Sequence, residues 1–180
     1  MADISPLPIR LAQTLGLSSS LILAGQTITL STFLIPRLLD SPTPLMLKQW
    51  NTMFQVGRKA GPQLALLSAI SYFYLSYKSH LSPLPAFSNT LLSKTTSYAI
   101  AGLLSIGIVP YTLIFISGTN SKLLKKVEET KTLKVSDEVV EVGLGNESAH
   151  ALVDWWGMLN LGRGALLVAS GVLGAWTALN

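Results

Sequence analysis

The stretch from Trp155 to Leu179, WWGMLNLGRGALLVASGVLGAWTAL, carries one charge, Arg163, and decides the fold. A helix needs about 20 mostly apolar residues to cross a hydrocarbon core of ~30 Å, and this run is long enough. Working outward, three more such runs precede it. Residues 11–36 hold no charge, although they are rich in Ser, Thr and Gln. Residues 60–77 lie between Lys59 and Lys78 and form the shortest run. Residues 97–117 are uncharged and end before a polar loop. In lipid each span must satisfy its own backbone polar groups, and runs this long and continuous suit helices rather than barrel strands. The expected fold is all-α: a membrane-embedded, up-down four-helix bundle, one domain over residues 1–180, with one larger extramembrane loop. Ala165 with Ala169, and Gly171 with Ala175, give the last helix close-approach faces that serve packing within the bundle and homo-oligomer contacts equally well.

Composition agrees. Hydrophobic residues make up 49% of the 180 and charged residues only 12%, about half of what a soluble domain carries. The net charge of +4 comes from basic residues scattered between apolar runs. That pattern is membrane flanking, with lipid as the partner, and argues against nucleic acid. There is no cysteine, which excludes disulfides, iron–sulfur clusters, thiolate haem and Cys-based zinc sites. Arg10 precedes a stretch too long for a signal-peptide core, so the first run is expected to be retained as a span.

Four spans place both termini on one side, together with Arg10, Lys78 and Lys94. Arg37, Lys48, Arg58 and Lys59 of the first loop, with Lys122, Lys125, Lys126, Lys131 and Lys134 of the third, fall on the other, which the positive-inside rule makes cytosolic. The third loop, 118–154, is the sizeable extramembrane piece. Leu123, Leu124 and Val127 share a helical face and Lys125 stands i,i+4 to Glu129, so the third helix should continue into solution. A turn at Gly143 and Gly145 follows, and Asn146, with Glu147 behind it, can cap a helix running into the fourth span.

Chemistry concentrates on that fourth helix. Trp156, Asn160 and Arg163 fall within a wedge of roughly 60° on a helical wheel. An arginine within a membrane helix costs ~2.5 kcal/mol or more unless it faces protein or water. Two readings stand. The wedge can line a pocket for a planar, oxygenated aromatic ligand, or Arg163 can snorkel at the membrane edge while Asn160 bonds a neighbouring helix. Pro110, before Tyr111 and Thr112, removes a helix hydrogen bond and either lines a cavity or serves packing. Gln26 is the polar residue of interest on the first helix. His150 and Asp154, i,i+4, form either a carboxylate-oriented imidazole base or a solvated surface pair. His80, the only other histidine, is expected on the opposite membrane face. A bis-histidine haem or a two-histidine iron site is therefore not expected within one chain, and no metal ligands are assigned.

Several segments together resemble the fungal anthrone oxygenase family, small four-span membrane proteins of aromatic polyketide pathways. Gly25 to Pro36 with Ser31 between resembles its first helix, and Trp50, Gly57 and Pro62 match its approach to the second. Pro110-Tyr111-Thr112 with Thr119-Asn120 resembles the third helix, and Trp156-x-x-Leu159-Asn160-x-x-Arg163 the fourth. The resemblance covers roughly residues 20–170. It implies oxidation of an anthrone-type planar polyketide to an anthraquinone by molecular oxygen, with no cofactor, in the endoplasmic reticulum or another endomembrane of a fungus. An anthrone is acidic at its central methylene, and its anion can pass an electron to oxygen directly. Such a site needs a base, a donor for the oxyanion and an apolar pocket. On this reading Arg163, Asn160 and His150 are the catalytic candidates. Trp156, Tyr111, Thr112, Asn120, Trp50 and Gln26 are the substrate-binding ones. A non-catalytic membrane scaffold for pathway enzymes is the alternative; a carrier is disfavoured by four short helices without inverted repeats.

Overall fold

A computed structural model describes residues 6–81, 92–132 and 148–180, and the secondary structure within them is helical throughout. α1 (Leu7–Thr29) passes through a π-helical turn, Leu30–Leu34, into α2 (Ile35–Leu39), where Pro36 cannot donate to the turn before it. α3 runs from Thr43 to Leu81 without interruption at Pro62. α4 (Lys94–Ile106) starts at Ser93, whose hydroxyl accepts the Thr96 amide at 3.1 Å. Pro110 cannot donate to the Ile106 carbonyl, and the ladder is irregular on both sides of it. Gly107 ends α4, α5 is the single turn Ile108–Tyr111, and a second π-helical turn, Thr112–Ile116, leads into α6 (Ser117–Glu129). α7 spans Ala149–Leu179.

Three of these rods, Leu7–Leu39, Lys94–Glu129 and Ala149–Leu179, are long and apolar enough to cross a membrane. α3 has the length but not the apolarity, since even 60–77 carries Pro62, Gln63, three serines and three tyrosines. The first half of α3 is the main departure from expectation. The segment between the first two apolar runs reads as a loop in the sequence, whereas it is helical and continuous with 60–77, leaving only 40–42 as the connection. The extension of the third span is observed: Leu123 is fully buried, with Leu124 and Val127 packed beside it. Its ion pair differs, since Glu128 pairs with Lys131 at 2.7 Å where Lys125 with Glu129 was expected. The Gly143–Gly145 turn and the Asn146 cap lie outside the described residues. The observed start of α7 is capped by Ser148, whose hydroxyl accepts the Ala151 amide at 3.1 Å.

The chain folds into two compact units, each built from parts of all four rods. The first comprises, among the described residues, 6–25, 61–81, 92–109 and 164–180. Its apolar core holds Tyr72, Leu75, Tyr98 and Ala101 in one cluster and Leu23, Ala65, Ile108 and Leu167 in another. Between them runs a chain of buried hydroxyls. Ser68 and Ser105 lie 2.9 Å apart, Ser105 and Ser170 2.7 Å, and Ser170 donates to the Ala101 carbonyl at 2.7 Å. Ser68 donates to the Gly16 carbonyl at 3.0 Å, and each hydroxyl has one proton, so Ser68 and Ser170 are both committed to carbonyls and Ser105 donates to one of its two serine neighbours. Gly171 packs inward: a Cβ there would stand 2.5 Å from Leu21 Cδ2, which assigns this small residue to packing within the bundle. Ala165 and Ala169 face outward.

The second unit comprises Gln26–Ala60 and, among the described residues, 110–132 and 148–163. Its core is Ile35, Leu38, Met46, Leu47, Trp50, Ile116, Leu123, Leu152, Val153 and Trp156. Phe33, Leu113, Ile114 and Met158 are more than half exposed. Apart from Gln26, the candidate residues of this unit are buried or half-buried.

Candidate functional site

Trp156, Asn160 and Arg163 share a face of α7, and that face is turned inward. Asn160 is 1% exposed and donates through Nδ2 to the Thr27 carbonyl at 3.1 Å and to Ser31 Oγ at 3.0 Å. Ser31, inside the first π-helical turn, donates in its own turn to the same Thr27 carbonyl at 3.3 Å. Both Asn160 amide hydrogens are therefore committed to the first rod.

One turn earlier, Trp156 donates its indole N–H to Asn120 Oδ1 at 2.9 Å, tying α7 to α6. Its ring meets Trp50 edge-on, centroids 5.9 Å apart at 90°. Trp50 in turn stacks on Phe54 at 5.0 Å and 10°, and Arg58 lies 5.8 Å over the Phe54 ring. The spacing 50, 54, 58 along α3 follows from one helical face repeating every three to four residues. Edge-to-face and offset arrangements of this kind are the preferred aromatic geometries.

Tyr111 crosses α7 and donates to the Leu159 carbonyl at 3.0 Å, with Phe115 tilted against it at 4.9 Å. The crossing needs Gly162, because a Cβ at that position would fall inside the Tyr111 hydroxyl. Thr112 is half-buried in the second π-helical turn. Arg163 is half-buried and makes no ion pair among the described residues. Its Nε is buried and without a hydrogen-bond partner among the described residues, and the Trp50 Nε1 is in the same condition.

Trp50, Tyr111, Asn120, Trp156, Asn160 and Arg163 thus belong to one packed neighbourhood. His150 does not join it. It lies ten residues before Asn160 on the same helix, about 15 Å away at 1.5 Å per residue. Its Nε2 is 3.2 Å from the Ser41 carbonyl, which can only accept, so Nε2 bears the hydrogen in that contact. The imidazole is oriented by a backbone carbonyl, and Asp154 is exposed. Gln26 is exposed, beside the buried Thr27. No group of three His, Asp or Glu side chains able to hold a metal occurs among the described residues. The sequence reading passed over Phe54, which stands i,i+4 from Trp50, and the Leu159 and Thr27 carbonyls, for which no side-chain pattern can give a signal.

Comparison with known proteins agrees with the resemblance read from the motifs. The anthrone oxygenase family model matches residues 50–173. Anthrone oxygenase AgnL2 of Paecilomyces divaricatus is 27% identical over 91% of this chain and 93% of its own length. Anthrone oxygenase encC of Aspergillus fumigatus is 30% identical, covering 89% and 86% respectively. The noranthrone monooxygenase of Aspergillus flavus is 26% identical, covering 84% and 66%. No solved structure is similar. Motifs in order on the right helices, and a match across most of the chain, place it in the anthrone oxygenase family.

Proposed function

We propose that this protein is a membrane-embedded oxygenase that converts an anthrone-type polyketide to an anthraquinone with molecular oxygen, using its own side chains and no prosthetic group. The observation that carries the reading is the buried Nε of Arg163, without a hydrogen-bond partner among the described residues, next in sequence to Gly162, where the Tyr111 hydroxyl meets α7. A permanent cation with an uncommitted donor in apolar surroundings is suited to an oxyanion that develops on a bound ligand.

The chemistry then runs as follows. The substrate's methylene loses a proton and its electrons spread to the ketone oxygen, which becomes the oxyanion held by Arg163. That stabilisation lowers the acidity barrier, so the proton can leave to water. His150, about 15 Å up the helix, is too remote to take it directly. The electron-rich ring system donates to oxygen, and a carbon–oxygen bond forms at the former methylene. The oxygen–oxygen bond breaks as the second methylene hydrogen leaves as a proton, giving the new carbonyl and one water. One oxygen molecule accepts all the electrons, so no other reductant or oxidant is required.

Asn160, both of whose amide hydrogens are engaged, positions α7 against the first rod and sets where Arg163 stands. Trp156 and Tyr111 wall the flat substrate. Support for cofactor independence comes from the ligand inventory: no cysteine and only two histidines in the chain. The apolar rods and the fungal relatives support a location in a fungal endomembrane. Of the four spans, the one formed by 60–77 of α3 is part of this proposal.

Purified, detergent-solubilised protein mixed with an anthrone tests the function. Quinone absorbance should rise with one oxygen consumed per quinone, and chelator should leave the rate unchanged. A haem or flavin band that follows activity through purification, or quinone formation no faster than in buffer alone, overturns the reading.

A further inference from the structure

Three rods of the second unit change character at one level. The first exposes Phe33 and Leu34 and then Arg37; the third exposes Leu113, Ile114 and Phe115 and then Lys122. α7, followed towards its start, exposes Met158 and Trp155 and then Asp154. Contacts tie the three changes together, since Asn120 holds the Trp156 indole and a Cβ at Gly157 would stand 3.1 Å from Ile35 Cγ2. Apolar surface on one side of a level and charge on the other is how a bilayer boundary divides a helical protein. α3 meets that level at Trp50, whose ring touches Trp156.

α3 does not follow the pattern. It starts at the connection 40–42 on the charged side, passes Trp50, and carries a polar stripe onward through Thr52 and Gln55 to Lys59, with Arg58 beside it. Thr52, Arg58 and Lys59 are exposed. Lys59 stands nine residues past Trp50, about 13 Å of helix, at a depth where the other rods show apolar side chains. Acyl chains cannot satisfy such a stripe. A second copy does not suit it either, because facing stripes would oppose like charges and α3 has no acidic residue. On the charged side Arg37 pairs with Asp40 and Lys131 with Glu128, whereas Arg58 and Lys59 meet no carboxylate among the described residues. The Arg58 guanidinium lies 5.8 Å over the Phe54 ring, a contact that consumes none of its N–H groups.

We infer that this face of α3 is a docking site for the headgroup of an anionic phospholipid, with Arg58 and Lys59 pairing with its phosphate. Charge complementarity selects the occupant, and the bilayer supplies it at the right depth. The long side chains reach towards the interface and the headgroup settles towards them, so the bilayer thins against α3. The site rests on the membrane embedding stated above and not on the oxygenase chemistry.

Full-length protein in phosphatidylcholine vesicles, probed with spin-labelled phosphatidylglycerol and spin-labelled phosphatidylcholine, tests it. Wild type should immobilise the anionic probe with roughly three- to tenfold preference. Arg58→Gln combined with Lys59→Gln should bring the ratio close to one. Lys125→Gln with Lys131→Gln removes equal charge outside the stripe and should keep most of the preference. Equal losses in the two double variants mean diffuse surface charge, and no preference in the wild type means no site; both overturn the inference. Thr52→Cys, the one thiol in a cysteine-free chain, reports other occupants. Its reaction with a water-soluble maleimide should slow when phosphatidylglycerol is added to the vesicles. An unchanged rate means an open aqueous cleft, and oxidant-induced dimers mean that a second copy covers the face; either overturns the inference. Release of the protein by alkaline carbonate overturns the embedding and this site together. Embedded protein that keeps the lipid preference but forms no quinone leaves the site standing while the oxygenase reading fails.

Discussion

Asn160 reaches across from α7 to Ser31 on the first rod, its amide 3.0 Å from the serine hydroxyl oxygen, while Ser31 itself sits in a π-helical turn. The two residues are 129 apart in sequence, so this bond fixes a long-range register. Asn160→Leu removes both donor bonds while keeping the volume. Measured hydrogen bonds between membrane helices average ~0.6 kcal/mol and reach ~1.7, so a loss of about 1–3 kcal/mol is expected. A thermal unfolding scan in detergent should show the lowered midpoint. An unchanged midpoint would mean that the pair contributes nothing to helix register.

Arg163 should behave differently from Asn160. Arg163→Leu is expected to express and fold normally, since leucine is better tolerated in lipid. Its turnover should fall by ~10²–10³, the usual effect of deleting one preorganised oxyanion donor. Arg163→Lys keeps the charge without the planar fork and should recover only part of the rate. Quinone formed per folded molecule is the measurement, with Lys131→Ala as a surface control. Full activity in Arg163→Leu would leave the α7 face as packing alone.

Gly162 and Tyr111 should be coupled. Gly162→Ala places a methyl inside the Tyr111 hydroxyl and should destabilise by about 1–3 kcal/mol, the usual range for overpacking. Tyr111→Ala loses packing and one hydrogen bond. In the double variant the clash is gone, so its loss should be clearly smaller than the sum of the singles. Additive unfolding energies would show that the ring moves away from Gly162 at no cost.

Ser105 sits in the middle of a hydroxyl chain linking α3, α4 and α7 in the first unit. Ser105→Ala removes the one donor between Ser68 and Ser170, which keep their bonds to the Gly16 and Ala101 carbonyls. A loss of ~0.5–2 kcal/mol in stability is expected. Activity per folded molecule should be kept, because none of the candidate site residues lies in this unit. A variant as stable as the wild type would make the serine chain incidental.

The membrane orientation is checkable at Asn146-Glu147-Ser148, a glycosylation sequon in the loop that the positive-inside count makes cytosolic. Expressed in a eukaryotic host, the protein should show no glycosidase-sensitive mass shift. A shift abolished by Asn146→Gln would invert the topology.

The helical rods were legible in the sequence because lipid leaves few alternatives: a long uncharged run such as 97–117 must satisfy its backbone internally. The α7 face was legible for the same kind of reason, since the spacing of Trp156, Asn160 and Arg163 forces them onto one side of any helix. What sequence alone determined is therefore helix type, approximate span and face. It left open whether that face meets lipid, water or protein, and tertiary structure decided it. Asn160 is taken up by Thr27 and Ser31, Trp156 by Asn120, while Trp50 and Arg163 keep donors without partners among the described residues. The polar half of α3 was misread as a loop because its charges resemble membrane flanks. Packing of Met46, Leu47 and Trp50 into the core makes it helix. The distance from His150 to the site, and its tether to Ser41, follow from which carbonyl the folded chain brings near the imidazole. Side-chain pattern fixes what a helix offers; only the neighbours that arrive from distant sequence fix which of those groups are already bonded and which remain available.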